Sequence, residues 1–177
     1  MAKNLRNNLQ KILEEAFFLE AFSYNEFELE LVERYSDKFG GEYIPEKKLL
    51  IVQKDESGCN DLELATAIHE LAHHVEYIQV GYTKHDVLFN KIQKNLLNAA
   101  FKRKYLNPSK LALEEEYLSK YTERTKIKQE CFEYIDKNNI KQIYQIDITY
   151  FKDKINKKGN YKYSPIIQGW YSLNEIN

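Results

Sequence analysis

The sequence predicts an α+β protein, mainly helical, with a short sheet and a small C-terminal extension of helix and strand. Three observations predict it. Apolar residues recur at helical spacing over most of residues 4–137. One apolar run, residues 48–53 (KLLIVQ), is too short for a helix and reads as a buried strand. From Ile140 onward the chain turns tyrosine-rich and β-branched.

The elements follow in order. Residues 4–22 place Leu5, Leu9, Ile12, Leu13, Ala16, Leu19 and Phe22 at helical spacing. A second helix is expected next, with Phe27, Leu31, Val32 and Tyr35 inward, ending at the stop signal Gly40-Gly41. The strand at 48–53 and a turn over 55–60 (DESGCN) come after it. Asn60 is a good N-cap, and Glu63 sits three residues on, as in a capping box. A long helix is therefore predicted to run from residue 60 or 61 to residue 79, with Gly81 as its stop. Another should begin near Thr83, with Asp86 three residues later, and continue through FNKIQKNLLNAAFKRKY. Pro108 breaks that pattern, and residues 110–137 are again helical in spacing. In the tail, QIDITY reads as strand and YSPIIQGWYSL as turns and strand. The division expected is a core over residues 1–104 and an extension over 105–177.

A chain of 177 residues with 43% hydrophobic composition can bury a core. Its formal net charge is −1, so no global field drives it to nucleic acid or membrane. The charge is unevenly spread: residues 1–100 carry 17 acids and 11 bases, residues 101–177 carry 10 and 15. Two differently solvated surfaces explain this asymmetry more simply than a dedicated binding patch. Cys59 and Cys131 are far apart and in no CxxC pair, which argues against a disulfide scaffold and against a cysteine-ligated zinc ribbon. MAKNLRNNLQ has no apolar targeting segment, and no stretch approaches the roughly 18 apolar residues of a membrane span. A cytoplasmic protein without a membrane partner is expected.

The chemistry is concentrated in IHELAHHV, residues 68–75, which holds three of the four histidines. On a helical wheel Leu64, Ile68, Leu71, Val75 and Ile78 form the core stripe, and His69 and His73 fall opposite. Two imidazoles at i and i+4 stand one above the other and can converge on one ion. Glu70 lies about a quarter-turn away, in reach of a water on that ion. This is the HExxH arrangement for metal-assisted hydrolysis, with Glu70 as general base. His74 falls near the core edge, where a structural role or one behind the ligands is expected rather than ligation. Glu76 and Asp86 are candidate acceptors for orienting ligand imidazoles, or else simple surface charge. Tyr77, Tyr82 and His74 are the nearby candidates to donate to an oxyanion.

A catalytic zinc takes about three protein ligands, so a further donor is needed. The metzincin pattern would put Gly at 76 and His at 79, where this chain has Glu76 and Gln79. The window where thermolysin-type enzymes carry a glutamate reads KIQKNLLN and contains no acid. Glu114, Glu115 and Glu116 are more distant and read as a solvated face. His85 remains, 12 residues after His73 and beyond Gly81. It is expected in the first turn of the next helix, on a face with Phe89, Ile92 and Leu96. A helix N-terminus disfavours imidazolium and keeps the ring in its metal-binding form.

HELAHH, a Gly-containing turn and then His85-x-x-x-Phe89 resemble the SprT-like zinc metallopeptidases, which include the Spartan proteases. The resemblance covers about residues 48–100. It implies a zincin-like metallopeptidase core, mainly helical with a short sheet ahead of the active helix. It also implies His69, His73 and His85 as Zn2+ ligands and Glu70 as base. The family's Gly-His-Gly is replaced here by Thr83-Lys84-His85-Asp86, and its cysteine zinc ribbon is missing.

The function expected is thus zinc-dependent hydrolysis of peptide bonds in protein substrates. Proteins associated with DNA are one substrate class, because some SprT-like relatives act there. A weak DNA association through the basic residues 101–177, with their nine tyrosines, agrees with that class. The simpler reading is that these tyrosines fill a small β-containing subdomain. One alternative is an interaction protein of a phage or mobile element that retains the fold and zinc without robust proteolysis; an intact Glu70 argues against it. A helical scaffold whose histidines bind no metal is another.

Overall fold

The computed structural model describes residues 2–33, 40–54, 60–108, 111, 125–138, 162–164 and 169–171. The chain forms two compact units, residues 1–107 and 108–177. The class is α+β: helices dominate, with a three-stranded mixed sheet in the first unit.

The first unit opens with α1 (Ala2–Ala16), which buries Leu5, Leu9, Ile12 and Leu13 along one stripe. Its helical pattern was expected to reach residue 22. Instead the chain turns over residues 17–20, where the Phe17 and Ala21 amides donate to Leu13 and Phe17 carbonyls. A short α2 (Ala21–Tyr24) then follows. The turn changes the rotational register, so Ala21 and Tyr24 go inward while Leu19 and Phe22 are left outside.

The helix expected around residues 27–35 is instead a strand, β1 (Glu28–Val32), entered from the buried Phe27; Tyr35 lies outside the described residues. Glu28 and Glu30 alternate with Leu29 and Leu31, a two-residue period. Leu29, Leu31 and Val32 over so short a stretch also fit a helix, and pairing with a neighbour decides between them. Gly41, expected to stop a helix, opens strand β2 (Gly41–Ile44). A 3-10 turn (Pro45–Lys47) then leads into β3 (Leu49–Gln53), the strand predicted from KLLIVQ. The order is β1-β3-β2, with β1 parallel to β3 from Glu28↔Leu49 to Val32↔Gln53. β2 runs antiparallel to β3, from Gly41↔Val52 to Ile44↔Leu49. Leu50 and Val52 point into the core.

Helix α3 (Asn60–Val80) crosses this sheet and packs also against α1, α2 and α4. It therefore buries far more than one stripe. Leu64, Ile68, Leu71 and Val75 are inward as expected, and so are Glu63, Thr66, Glu70, His74 and Glu76. Strand β2 approaches α3 closely at Gly41: a Cβ there would lie 2.7 Å from the Ile51 carbonyl oxygen and 3.1 Å from Glu70 Cγ. No other residue fits at that crossing without moving backbone.

Helix α4 (Val87–Lys102) starts four residues later than predicted. Asp86 is its N-cap, accepting from the Leu88 amide at 2.8 Å and the Phe89 amide at 3.2 Å. The far end of α4 meets α1 through Glu15, which pairs with Lys102 and Arg103.

In the second unit, α5 (Thr125–Lys137) buries Ile127, Cys131 and Ile135 at a four-residue spacing. β4 (Lys162–Ser164) pairs antiparallel with β5 (Gly169–Tyr171), overlapping the YSPIIQGWYSL segment expected to hold turns and strand. QIDITY, Cys59 and Glu114 to Glu116 lie outside the described residues. Among the described residues no helix is long and apolar enough to cross a membrane.

Candidate metal centre

Two histidines come from α3 and one from the turn that follows it. His69 and His73 stand one helical turn apart, with ring centroids 4.9 Å from each other. Gly81 ends the helix at φ +77°, its amide donating to the Tyr77 carbonyl at 2.8 Å. The chain reverses there and returns His85 to the ligand pair. His85 was expected inside the first turn of α4; it lies in the turn itself, one residue ahead of the Asp86 cap, and its side chain is exposed.

The three Nε2 atoms converge. His85 Nε2 is 3.0 Å from that of His69 and 3.1 Å from that of His73. One ligand atom from each residue lies within 4.8 Å of the others, close enough to hold one metal ion. Tetrahedral zinc with Zn–N near 2.0–2.1 Å would space its nitrogens by roughly 3.3 Å. The donor set thus fits zinc in number, type and spacing. Two half-buried ligands and one exposed one leave the site open toward solvent, as a position for water or substrate requires.

The rings sit on an apolar floor. Phe89, only 1% exposed, lies with its ring centroid 5.0, 4.3 and 4.8 Å from those of His69, His73 and His85. Burial pushes His73 down to about 4, and the neighbouring His85 adds to that shift. His73 is therefore neutral near pH 7, as a ligand must be. Phe89→Ala should cost about 3–5 kcal/mol of stability from cavity formation. Urea unfolding would measure it, and an unchanged midpoint would show that the floor is dispensable.

The outward nitrogens of two rings are also engaged. His73 Nδ1–H donates to Thr83 Oγ1 at 2.5 Å, and the Thr83 hydroxyl donates to Glu76 Oε2 at 2.8 Å. The Lys84 amide donates to the same Glu76 oxygen, also at 2.8 Å. Glu76 is fully buried, so the surface-charge alternative for it is set aside. On the other flank the Gln93 side-chain amide lies 3.4 Å from His69 Nδ1. Asp86 caps α4; the Phe89 amide above all, then the Leu88 amide and a side-chain contact with Glu76, hold its carboxyl below the usual value. Glu70 is 5% exposed, beside Gly41 of β2.

Sequence reasoning missed Gln93 and the role of Thr83. Gln93 was within reach, because it lies one turn after Phe89 on the buried face of α4. Thr83 carried no signal, since a threonine before an apolar run reads as a cap.

His74 stands apart from the ligands, as its place on the wheel suggested. It is fully buried; its Nε2–H donates to the Tyr24 carbonyl at 3.1 Å and its Nδ1 accepts from the Tyr43 hydroxyl at 3.0 Å. Burial pushes the Tyr43 hydroxyl up to about 12, which keeps it a donor. His74 thus ties α3 to β2 and to the end of α2, and is spoken for as an oxyanion donor. Tyr77 packs on Tyr43 at 6.3 Å, whereas Tyr82 is exposed in the turn carrying His85.

Burial also pushes His74 down to about 4, with the Tyr24 hydrogen bond partly opposing and the Lys48 charge assisting. A histidine depressed on folding binds a proton more readily in the unfolded chain. Stability is then flat above about pH 6.5 and falls as pH drops toward 4. Metal-free protein should lose about 2 kcal/mol between pH 7 and 5 from His74, and a similar amount from His73. Denaturant midpoints with chelator present would record it. A His74→Phe protein losing as much over that range as wild type would refute the assignment to burial.

No family model matches the sequence, and no curated protein or solved structure matches it significantly.

Proposed function

We propose that this protein is a zinc metallopeptidase that hydrolyses peptide bonds of protein substrates. The observation that carries this reading is the convergence of His69, His73 and His85 through Nε2, with Glu70 one residue from the first ligand. Bound zinc would supply an acidified water and polarise the scissile carbonyl. His69, His73 and His85 would hold it, each neutral and donating through Nε2. Glu70 would accept the proton of the attacking water and return it to the leaving amine. Its burial keeps bulk water from competing for that proton. Phe89 closes the face beneath the rings, so substrate approaches from the exposed His85 side.

The SprT-like resemblance of residues 48–100 supports the same reading. It points to proteins associated with DNA as substrates, with weak DNA contact through residues 101–177. The test is cleavage of unfolded and of DNA-bound proteins, comparing wild type, chelator-treated protein and Glu70→Gln. Zinc-dependent cleavage that Glu70→Gln abolishes is the expected result. Stoichiometric zinc with no cleavage of either substrate would favour a binding protein that retains the zinc site.

A further inference from the structure

A fully buried acid on a core helix needs a physical reason. Desolvating a carboxyl group is costly, and an apolar residue at position 76 would pack against the same neighbours without that penalty. Glu76 is nonetheless completely buried near the end of α3. One of its oxygens receives two donors, the Thr83 hydroxyl and the Lys84 amide, each at 2.8 Å. Both donors belong to the turn between Gly81 and Asp86. Thr83 in turn accepts from His73 Nδ1, and Lys84 immediately precedes His85.

We infer that Glu76 and Thr83 form a positioning relay that sets two of the three ligands at once, an inference that rests on the metal-site reading above. Through the Thr83 hydroxyl, Glu76 fixes His73 as the tautomer with its proton on Nδ1, leaving the Nε2 lone pair aimed at the cluster. Through the Lys84 amide, it holds the turn so that His85 Nε2 comes within 3.1 Å of its partners. The direction of each hydrogen bond follows from the chemistry. Glu76 Oε2 accepts from the Lys84 N–H, which can only donate. Thr83 spends its single proton on Glu76, so its oxygen is the acceptor for His73, and the imidazole must donate. An outer acceptor of this kind raises ligand basicity and removes the entropy of ring rotation; losing one typically costs 10–100-fold in metal affinity. On the other helical ligand, the Gln93 side-chain amide lies 3.4 Å from His69 Nδ1.

The test has a metal-free arm and a metal arm. In the first, long-range nitrogen–proton NMR of the full chain with chelator at pH 7 reads the His73 tautomer. The expected result is a proton on Nδ1 in wild type and Thr83→Ser, and loss of that fixed tautomer in Thr83→Val. In the second, competition titration with a chromophoric chelator reads zinc affinity. Thr83→Val should weaken it by roughly 10–100-fold, while Thr83→Ser restores it to near wild type. A proton on His73 Nε2 in the wild-type protein would overturn the relay. So would Thr83→Val binding zinc as tightly as wild type, or Thr83→Ser failing as badly as Thr83→Val. If wild type binds no zinc while the NMR result is as expected, the metal reading fails and the relay stands as a structural clip.

Discussion

Wild-type protein should bind one equivalent of zinc, and His69→Ala, His73→Ala or His85→Ala should each abolish that stoichiometric binding. The largest effect follows from the geometry. The two helical histidines share one rigid element and supply only two donors, and zinc needs about three from the protein in a hydrolytic site. His85 completes the set from the turn, with its Nε2 at 3.0 and 3.1 Å from the other two. The same loss should be visible as stability. A ligand present at 100 times its Kd adds about 2.7 kcal/mol to the folded state, worth about 5–10 °C in Tm for a chain of this size. Wild type should gain that shift on zinc addition, and each alanine variant should lose most of it. Elemental analysis of dialysed protein, paired with melting curves, makes the comparison. A His85→Ala protein that retains one zinc would remove His85 from the ligand set.

Glu70→Gln should separate binding from chemistry. The amide has the shape of the carboxylate, so the packing beside Gly41 and the three imidazoles is undisturbed and zinc should remain at one equivalent. What disappears is a group able to take and return a proton. General-base removal costs about 10²–10⁴ in rate, or about 3–5 kcal/mol of transition-state stabilisation. Peptide hydrolysis followed by discontinuous chromatography should therefore fall by that factor at unchanged zinc content. Wild-type turnover in Glu70→Gln would eliminate Glu70 as the base.

The parts of the fold legible in the sequence are those where a local pattern and its environment agree. KLLIVQ is apolar, β-branched and too short for a helix, and it forms the central strand. The long HExxH helix is bracketed in the sequence by the turn-forming DESGCN and by Gly81, and both ends lie close to where those signals put them. Where neighbours decide, local reading failed. Residues 28–32 carry spacings compatible with helix or strand, and β3 alone settles the choice by pairing. The wheel of α3 showed one core stripe because it could not show how many elements surround the helix. Polar positions such as Glu70 and Glu76 are buried by packing that no sequence period records. The start of α4 failed for a more specific reason. Thr83 and Asp86 have the spacing of a capping box, but the Thr83 hydroxyl is bonded to Glu76 and His73. Asp86 is left to cap the helix, and the start moves to Val87. For the candidate site, the three histidines that come together were recognisable from type and spacing. Thr83 was not, because a side chain that orients a neighbouring ring is defined by what it touches; Gln93 was within reach as a buried polar residue one turn after Phe89.

The placement of His85 on the short turn after Gly81 also determines what a bound ion would do to the chain as a polymer. It would cross-link residues 12 and 16 positions apart, on one reversal of direction. So small a ring restricts little of the unfolded ensemble, and the sheet and the α1–α4 contact lie outside it. Zinc here would act as a local staple on one helix–turn–helix junction, while the scaffold that presents two of its ligands is built by apolar packing and stands without it.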